Sequence, residues 1–469
     1  MRKFDKDKYL RKLRFKKYKR YLYMGIPCFL VLLIGIYFAY SKFSVSKDTE
    51  VVRTTVGEFI SGDIVITPYI DGEYSKEFPK EEPGINVEKV LCDNDAVGKW
   101  DEDNWQLKVT NLTKRTKCNV YFVTPKSCGI NDNVKCISNR EKFATLASEV
   151  NNGDNKSGKI YYLTSDIDLG GKFDNSGNAL DGNISWTPIG TEDKPFSGML
   201  DGSGHVISNM YVNRASSDYN GLFGAASNSV IKNLGLKSSY VIGNSRNAGI
   251  LGGATKNTTI ASVYNSATVV GNYRSAGICG EICTVKNSYN TGDITNNSND
   301  IIGGIVGGWS SVYNSYNLGN VKGARASVGG IGGWDCSAYN TYNLGNITSS
   351  YVNYCGGIVG WGLNYNELIN NYSLGKASGG GILGAEYDYN GNNEIRSEIT
   401  MKIVNNYYLK GIASYGLGYY SSDYNASPLE ASQMPSVISV INGDNAFVED
   451  TNNINNGYPI LKWQQERNN

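Results

Sequence analysis

The chain has a single histidine, His205, and only 19% of its 469 residues are charged. Hydrolases of the Ser-His-Asp or Cys-His type need a histidine base, so one histidine excludes most of this chemistry. His205 lies in a Gly-rich turn that enters a strand, where we expect a structural role. Low charge combined with 55 glycines does not fit a helical bundle, and 34 tyrosines do not fit a disordered chain.

The positive charge is concentrated at the N-terminus. Residues 1–20 hold eleven Lys or Arg and two Asp, a net charge of +9, so the other 449 residues sum to −8 against the overall +1. The run Met24–Tyr40 that follows has 17 residues without a charge, about the minimum length for a membrane span. Because Lys and Arg stay on the cytoplasmic side, we predict a cytoplasmic segment at 1–20 and a transmembrane anchor at 21–43.

This topology makes the chain a single-pass membrane protein with its C-terminal bulk extracellular. A cleaved signal peptide is the alternative, although Ala39-Tyr40-Ser41 is a poor cleavage site. The mildly acidic remainder argues against nucleic acid as a partner.

Eight cysteines follow the apolar run, an even number that predicts disulfides and supports export. Cys92 and Cys118 are the first candidate pair, and the remaining connectivity stays open. A zinc site is not predicted, because Cys279-Gly-Glu-Ile-Cys283 has no second pair or histidine nearby. The eight disulfide candidates are Cys92, Cys118, Cys128, Cys136, Cys279, Cys283, Cys336 and Cys355.

Two segments precede the repeats. Residues 46–125 contain short alternating stretches typical of half-buried strands and predict a small β-sandwich-like module. Ser138-x-x-Glu141 is a capping box that predicts a short amphipathic helix, which would cover the open end of a β stack. The apolar positions of this capping helix are Phe143, Leu146, Ala147 and Val150.

From residue 221 onward two patterns repeat together. The first is Gly-apolar-x-Gly, and its first glycines are spaced by 28, 28, 27, 26, 27 and 24 residues. These glycines are Gly221, Gly249, Gly277, Gly304, Gly330, Gly357 and Gly381. The second pattern carries Tyr264, Tyr289, Tyr316, Tyr342 and Tyr372, and the first four are followed by Asn265, Asn290, Asn317 and Asn343.

A period near 27 residues without helical spacing predicts one coil of short strands per repeat, in an all-β parallel β-helix. A β-propeller is the alternative, but its blades need about 40–50 residues. Coils stacked about 4.8 Å apart place equivalent side chains above one another, so we expect a tyrosine ladder and an asparagine ladder. The β-helix is predicted at 126–427, and a C-terminal cap at 428–469.

These residues resemble the GLUG motif of bacterial surface proteins. Leu163–Leu169, Trp186–Gly190 and Phe196–Ile207 are similar to the stretch that precedes GLUG repeats in adhesin-like proteins. The resemblance covers about residues 140–463 and implies a right-handed parallel β-helix on a bacterial surface. Some members carry a zinc peptidase domain, but this chain has no His-Glu-x-x-His, so that activity is not carried over.

Two groups of residues remain as candidates for chemistry or binding. Asp166, Asp168 and Asp201 could be the catalytic carboxylates of a β-helix enzyme that cleaves polysaccharides. They could instead bind calcium, and no other cofactor is predicted. Trp309, Trp334 and Trp361 each follow the Gly-rich element in consecutive coils. If they face outward they form a strip for stacking on sugar rings; if they face inward they fill the core.

The sequence therefore predicts a membrane-anchored, extracellular, adhesin-like binding protein without enzymatic activity. Solvent-facing Asn, Ser and Tyr side chains would contact a glycan or a host or microbial surface. A β-helix enzyme that cleaves glycans and a structural cell-surface spacer are the two alternatives.

Overall fold

The computed structural model describes residues 62–66, 72–77, 85–102, 104–129, 131–298, 301–325, 327–387, 395–442 and 445–468. The chain divides into two compact units, and the boundary falls between Thr124 and Pro125. The predicted segments at 1–20 and 21–43 lie outside the described residues. Within the described ranges, no helix is both long and apolar enough to cross a membrane.

The first unit contains two three-stranded antiparallel sheets. One sheet has the order Gly62–Ile66, Thr116–Val123, Asn86–Cys92, and the other has the order Gly72–Glu77, Gln106–Leu112, Val97–Asp101. Leu107 and Val109 of one sheet share a core with Val120 and Phe122 of the other, which is the arrangement of a small sandwich.

The second unit is a parallel β-solenoid of about nine turns of about 27 residues. One 29-stranded sheet and one six-stranded sheet run along it, and the strands of successive coils pair in parallel. Each coil buries apolar residues of the Gly-apolar-x-Gly element, such as Ile305 and Val306, in one continuous core. This fold follows from the period, because a single coil cannot bury its own apolar side chains.

The strands fall into five positions along each coil. Short strands precede the Gly-rich element at Asn247–Ala248, Ser275–Ala276, Ile301–Gly303, Ser327–Gly329 and Cys355–Gly356. The second position is that of the glycine strands, which overlap this element or take its place in the last coil. They are Phe223–Ser227, Leu251–Lys256, Cys279–Glu281, Val306–Tyr313, Gly332–Tyr339, Val359–Leu363, Gly380–Tyr387 and Tyr415–Leu417. The third position comprises Val134–Ile137, Ile160–Leu163, Met199–Asp201, Val230–Lys232, Thr258–Ala261, Cys283–Lys286, Glu367–Ser373, Lys402–Leu409 and Ala426–Leu429.

The last two positions complete the coil. The tyrosine–asparagine strands and their equivalents are Ile167–Asp168, Val206–Ser208, Gly235–Lys237, Tyr264–Asn265, Tyr289–Asn290, Tyr316–Asn317 and Tyr342–Asn343. The six-stranded sheet comprises Tyr211–Arg214, Tyr240–Gly243, Thr268–Gly271, Ile294–Asn296, Val321–Gly323 and Ile347–Ser349.

Helix α1, Arg140–Asn151, lies over the beginning of the core. Its buried residues are those of the predicted apolar face, Phe143, Leu146, Ala147 and Val150. Its N-cap differs from the sequence-based expectation: Asn139, rather than Ser138, accepts a hydrogen bond from the Lys142 backbone N–H at 3.0 Å. Either residue type can cap a helix, so the capping box alone did not distinguish two neighbouring candidates.

The C-terminal segment packs along the tyrosine ladder. Residues Met434–Val437 form a 3-10 helix, followed by α2, Ile438–Ile441, the two-stranded pair Phe447–Val448 and Ile460–Leu461, and α3, Lys462–Asn468. Apolar side chains of this segment form one cluster with three ladder tyrosines. The cluster contains Tyr316, Tyr342, Tyr372, Met434, Val437, Ile441, Phe447 and Leu461.

Specific polar contacts fix this segment on the ladder. The Tyr342 hydroxyl bonds to the Gln464 side chain, and the Tyr372 hydroxyl donates to the Pro459 carbonyl. Trp463 stacks on Tyr316 with 5.8 Å between ring centroids. The ladder presents a row of apolar rings away from the core, and the segment covers them.

Candidate functional site

The three candidate tryptophans are half-buried and lie outside the main hydrophobic core. Trp334 and Trp361 occupy the same position of successive glycine strands, where they pair in register. The residue that pairs with Trp334 in the preceding coil is Gly308, so Trp309 lies one position further along its strand. The three rings therefore do not form one straight strip.

The rings form a compact cluster with two tyrosines, which we call the tryptophan corner (Trp309, Trp334, Trp361, Tyr354 and Tyr387). Ring centroids are 5.1 Å apart for Trp309 and Trp334, and 6.3 Å apart for Trp334 and Trp361, which meet edge to face. Trp361 stacks on Tyr387 at 5.2 Å and meets Tyr354 edge to face at 4.5 Å. Because the interplanar angles range from 10° to 81°, the rings pack against one another and do not form a flat platform.

Two indole N–H groups of the corner are buried and lack an acceptor. Nε1 of Trp334 and Nε1 of Trp361 have no hydrogen-bond partner among the residues that the structure describes. Elsewhere the indole of Trp186 donates to the Leu222 carbonyl at 3.0 Å. A buried donor without a partner costs about 1–3 kcal/mol, so each such group requires an explanation. Because neither nitrogen is accessible in this structure, a ligand oxygen would have to displace a neighbouring side chain to reach it and remove that cost.

A compensated group of charges borders the corner. The carboxylate of Glu281 is almost fully buried; it accepts from Nε of Arg246 and, at 3.0 Å, from Nη1 of Arg274. The Arg274 guanidinium lies 4.9 Å from the centroid of the Trp309 ring, within the range of a cation–π contact. Nη1 of Arg246 also lies 3.4 Å from Oδ2 of Asp218. Two arginines therefore meet two carboxylates, and this neighbourhood favours an uncharged ligand.

The tyrosines and asparagines of the repeat form two stacked columns. Neighbouring tyrosine rings are 4.8 to 5.2 Å apart and nearly parallel from Tyr264 to Tyr372. Asn265, Asn290 and Asn317 each donate from Nδ2 to the Oδ1 of the next asparagine at 2.8 or 2.9 Å.

The two columns differ in what they leave accessible. The four asparagines of the column are fully buried. Each tyrosine in the interior of the ladder uses its ring faces on its neighbours. These four asparagines occupy the predicted amide ladder and offer no group to a ligand, because a parallel stack satisfies their amides internally. Solvent-facing Asn contacts to a ligand would have to come from other positions.

A second amide column was not predicted. Asn340, Asn370 and Asn405 each donate to the preceding asparagine of the column at 3.0 to 3.2 Å, beginning with Asn314. All four have a positive φ near 50°, a left-handed conformation that Asn adopts more readily than most residues. The signal was present in the repeated Asn-Ser-Tyr-Asn and Asn-Thr-Tyr-Asn, whose first Asn lies three residues before the Asn of the predicted ladder.

Each of the three candidate aspartates bonds to a nearby backbone N–H. Asp201 is fully buried and accepts from Ser203 at 2.8 Å. Asp168 is exposed and accepts from Gly170 at 2.7 Å. The exposed Asp166 accepts from the Val206 N–H at 3.0 Å and lies 3.2 Å from Nδ1 of His205. Those two contacts, the backbone bond first, hold the pKa of Asp166 below its usual value.

Six of the eight candidate cysteines form disulfides: Cys92–Cys118, Cys128–Cys136 and Cys279–Cys283. The prediction of a disulfide is wrong for Cys336 and Cys355, which are separate buried thiols. A bridge between coils needs cysteines in one column, but Cys336 pairs in register with Ser310, and Cys355 with Val328. Burial raises the pKa of both thiols.

Among the described residues, no group of three or more His, Cys, Asp or Glu side chains could hold a metal ion. The Cys279–Cys283 pair, considered above for zinc, is a disulfide.

Comparisons with known proteins give only short or distant similarities. No family model matches the chain, and membership of the GLUG family is not shown. The parallel β-solenoid is shown by the strand pairing described above. Halomucin of Haloquadratum walsbyi is 33% identical over 115 residues, 24% of this chain and 1% of halomucin. A protein of Evansella cellulosilytica, named as a Gly-rich membrane protein, is 34% identical over 98 residues, 20% of this chain and 11% of that protein.

One solved structure aligns over a larger part of the chain. It is described as an immunoglobulin A1 protease from Bacteroides ovatus, and it is 20% identical with a TM-score of 0.41. The alignment covers 71% of this chain and 94% of that one.

Proposed function

We propose that this protein is an extracellular, membrane-anchored surface protein whose solenoid binds a neutral glycan at the tryptophan corner. Three disulfides support an oxidising compartment, because such bonds are rare in the cytosol. The names of the two relatives, a mucin-like name and a membrane-protein name, agree with a surface location.

The observation that carries the binding proposal is the pair of buried, unpartnered indole N–H groups of Trp334 and Trp361. A hydroxyl, ring or acetamido oxygen of a sugar can accept from an indole N–H, while the C–H face of the same sugar packs on an aromatic ring. A purely structural cluster would gain nothing from two buried donors without acceptors. Because Glu281 and Asp218 together balance the charges of Arg246 and Arg274, we expect uncharged sugars to be preferred over uronic or sialic acids.

The test is a glycan array probed with the extracellular part of the chain, comparing wild type with Trp361→Ala. Loss of binding with an unchanged melting temperature supports the proposal. The control is Tyr424→Ala, which removes an aromatic side chain that is 62% exposed and lies outside the corner. Binding that survives Trp361→Ala, or a wild type that binds no glycan, would contradict the proposal and favour a structural spacer.

The membrane anchor is tested separately, on the full chain in its native cell. We expect the protein in the membrane fraction, with an N-terminus that retains residues 21–43. Mature protein in the culture medium that begins near residue 42 would show a cleaved signal peptide instead.

A further inference from the structure

Ile282 has a backbone conformation that its side chain disfavours. Its φ is +60°, in the left-handed region, and its side chain is 38% exposed. A β-branched residue in this region is a genuine outlier, because its Cβ substituents crowd the backbone. Such strain costs about 1–3 kcal/mol and persists only where surrounding structure enforces it.

The same corner of other coils is built from more suitable residues. Register places Ile282 in one column with Asn257 in the preceding coil and with Trp309 in the next. Asn228 and Asp335 continue the column in both directions, and all five residues have a positive φ. Asn and Asp tolerate this conformation, whereas Ile and Trp do not. The two unsuitable residues are therefore stacked neighbours, and one of them belongs to the tryptophan corner.

A disulfide holds the turn around Ile282. Cys279–Cys283 closes the segment that contains Glu281 and Ile282, and both cysteines are buried. The Cys283 N–H donates to the Ser310 side chain at 3.0 Å, which ties this turn to the coil of Trp309. Glu281, inside the same segment, binds the Arg274 side chain that covers the Trp309 ring. The bridge thus supports both the strained residue and the neighbours of Trp309.

We infer that Ile282 is a ligand-contacting, specificity-determining residue that extends the tryptophan corner by one coil, held outward by the Cys279–Cys283 disulfide. This inference rests on the proposed function. Next to an aromatic ring, an exposed aliphatic side chain fits an apolar patch of an uncharged sugar, such as a pyranose C–H face or the methyl group of an N-acetyl or 6-deoxy sugar. If the Ile282 side chain contacted no ligand, Asn at this position would fold with less backbone strain.

The test is Ile282→Asn on an array of neutral oligosaccharides. Asn relieves the backbone strain, so we expect a melting temperature equal to or above that of wild type. The lost apolar contact should weaken binding about tenfold, which corresponds to about 1.4 kcal/mol. The control is Asn228→Asp, an exchange in the same column two coils earlier, at a backbone conformation that both residues tolerate; it should leave binding unchanged.

A second variant tests the role of the bridge. The double variant Cys279→Ser/Cys283→Ser lacks the disulfide, so it should weaken oligosaccharide binding when Ile282 is present. In the Ile282→Asn background the apolar contact is already lost, and removing the disulfide should have much less effect on binding. Unchanged binding by Ile282→Asn, or a lowered melting temperature, would make Ile282 a packing residue and overturn the inference. If Trp361→Ala still abolishes binding in that case, the proposed function stands alone; if wild type binds no oligosaccharide, both fail.

Discussion

Asn317 offers the most direct measurement of how the buried amide column stabilises the solenoid. Its side chain is fully buried in the middle of the column. Nδ2 donates to the Asn343 Oδ1 and to the Gly319 carbonyl, both at 2.8 Å, and Oδ1 accepts from Asn290 at 2.9 Å. Asn317→Ala removes all three bonds, and three buried polar groups lose this partner.

The expected cost follows from that count. Each buried group left unpaired costs about 1–3 kcal/mol, so we expect a loss of about 4 kcal/mol in the free energy of unfolding. Stacked repeats are stabilised by contacts with their immediate neighbours, so the coils next to Asn317 should open first. Guanidinium unfolding followed by circular dichroism measures the total, and amide hydrogen exchange locates the weakened coils.

Asn320→Ala is the matched control. It removes an exposed asparagine of the same coil, whose Nδ2 donates to Asp293 at 3.0 Å. Surface substitutions of this kind usually change stability by about 0.5 kcal/mol or less. If Asn317→Ala cost no more than Asn320→Ala, the column would not be a stabilising element and the reasoning would be refuted.

Three further predictions concern other parts of the second unit. Trp463→Ala removes the ring that stacks on the tyrosine ladder, so limited proteolysis should cleave the C-terminal segment faster; equal cleavage rates would show that its other contacts suffice. Alkylation in denaturant without reductant should label Cys336 and Cys355 but none of the six bridged cysteines, as mass spectrometry of the peptides would show. Because the pKa of Asp166 is lowered from 3.8, its contribution to stability is present above that value and is lost as pH falls through the folded pKa. Asp166→Asn should therefore flatten the acid part of a stability–pH curve, and an unchanged curve would assign the slope to other carboxylates.

The repeated part of the fold could be predicted because a stacked coil imposes the same requirement many times. Tyr289 and Asn290 recur in register with their equivalents, so their spacing alone placed them in columns. Features that occur once gave no such signal. Trp463 covers the tyrosine ladder from a segment that does not share the repeat, and nothing in its local sequence relates it to residues about 150 positions earlier.

The candidate site was predictable only in part for a related reason. Trp334 and Trp361 were identified from their position after the Gly-rich element, but Trp309 is displaced because its coil has one more residue before the ring. Tyr354 joins the corner from the 3-10 helix Val352–Tyr354, and Tyr387 from the end of the glycine strand Gly380–Tyr387. Only their folded positions show this. The strain at Ile282 is equally invisible in a sequence, because it depends on a backbone angle.

The division between column and corner explains how one fold can be both rigid and variable. The buried asparagine column cannot change without leaving amides unpaired, so it fixes the register of the four coils that carry Asn265, Asn290, Asn317 and Asn343. The column that contains Trp334 has no side-chain amide groups to pair. The residues at this position therefore differ widely in size and charge from coil to coil. In register they are Ala225, Gly253, Glu281, Gly308, Trp334, Trp361 and Ala385. Large aromatic residues occupy this otherwise mostly small column at two consecutive coils, and a ligand that accepts from their indole N–H groups is the reason we propose for them.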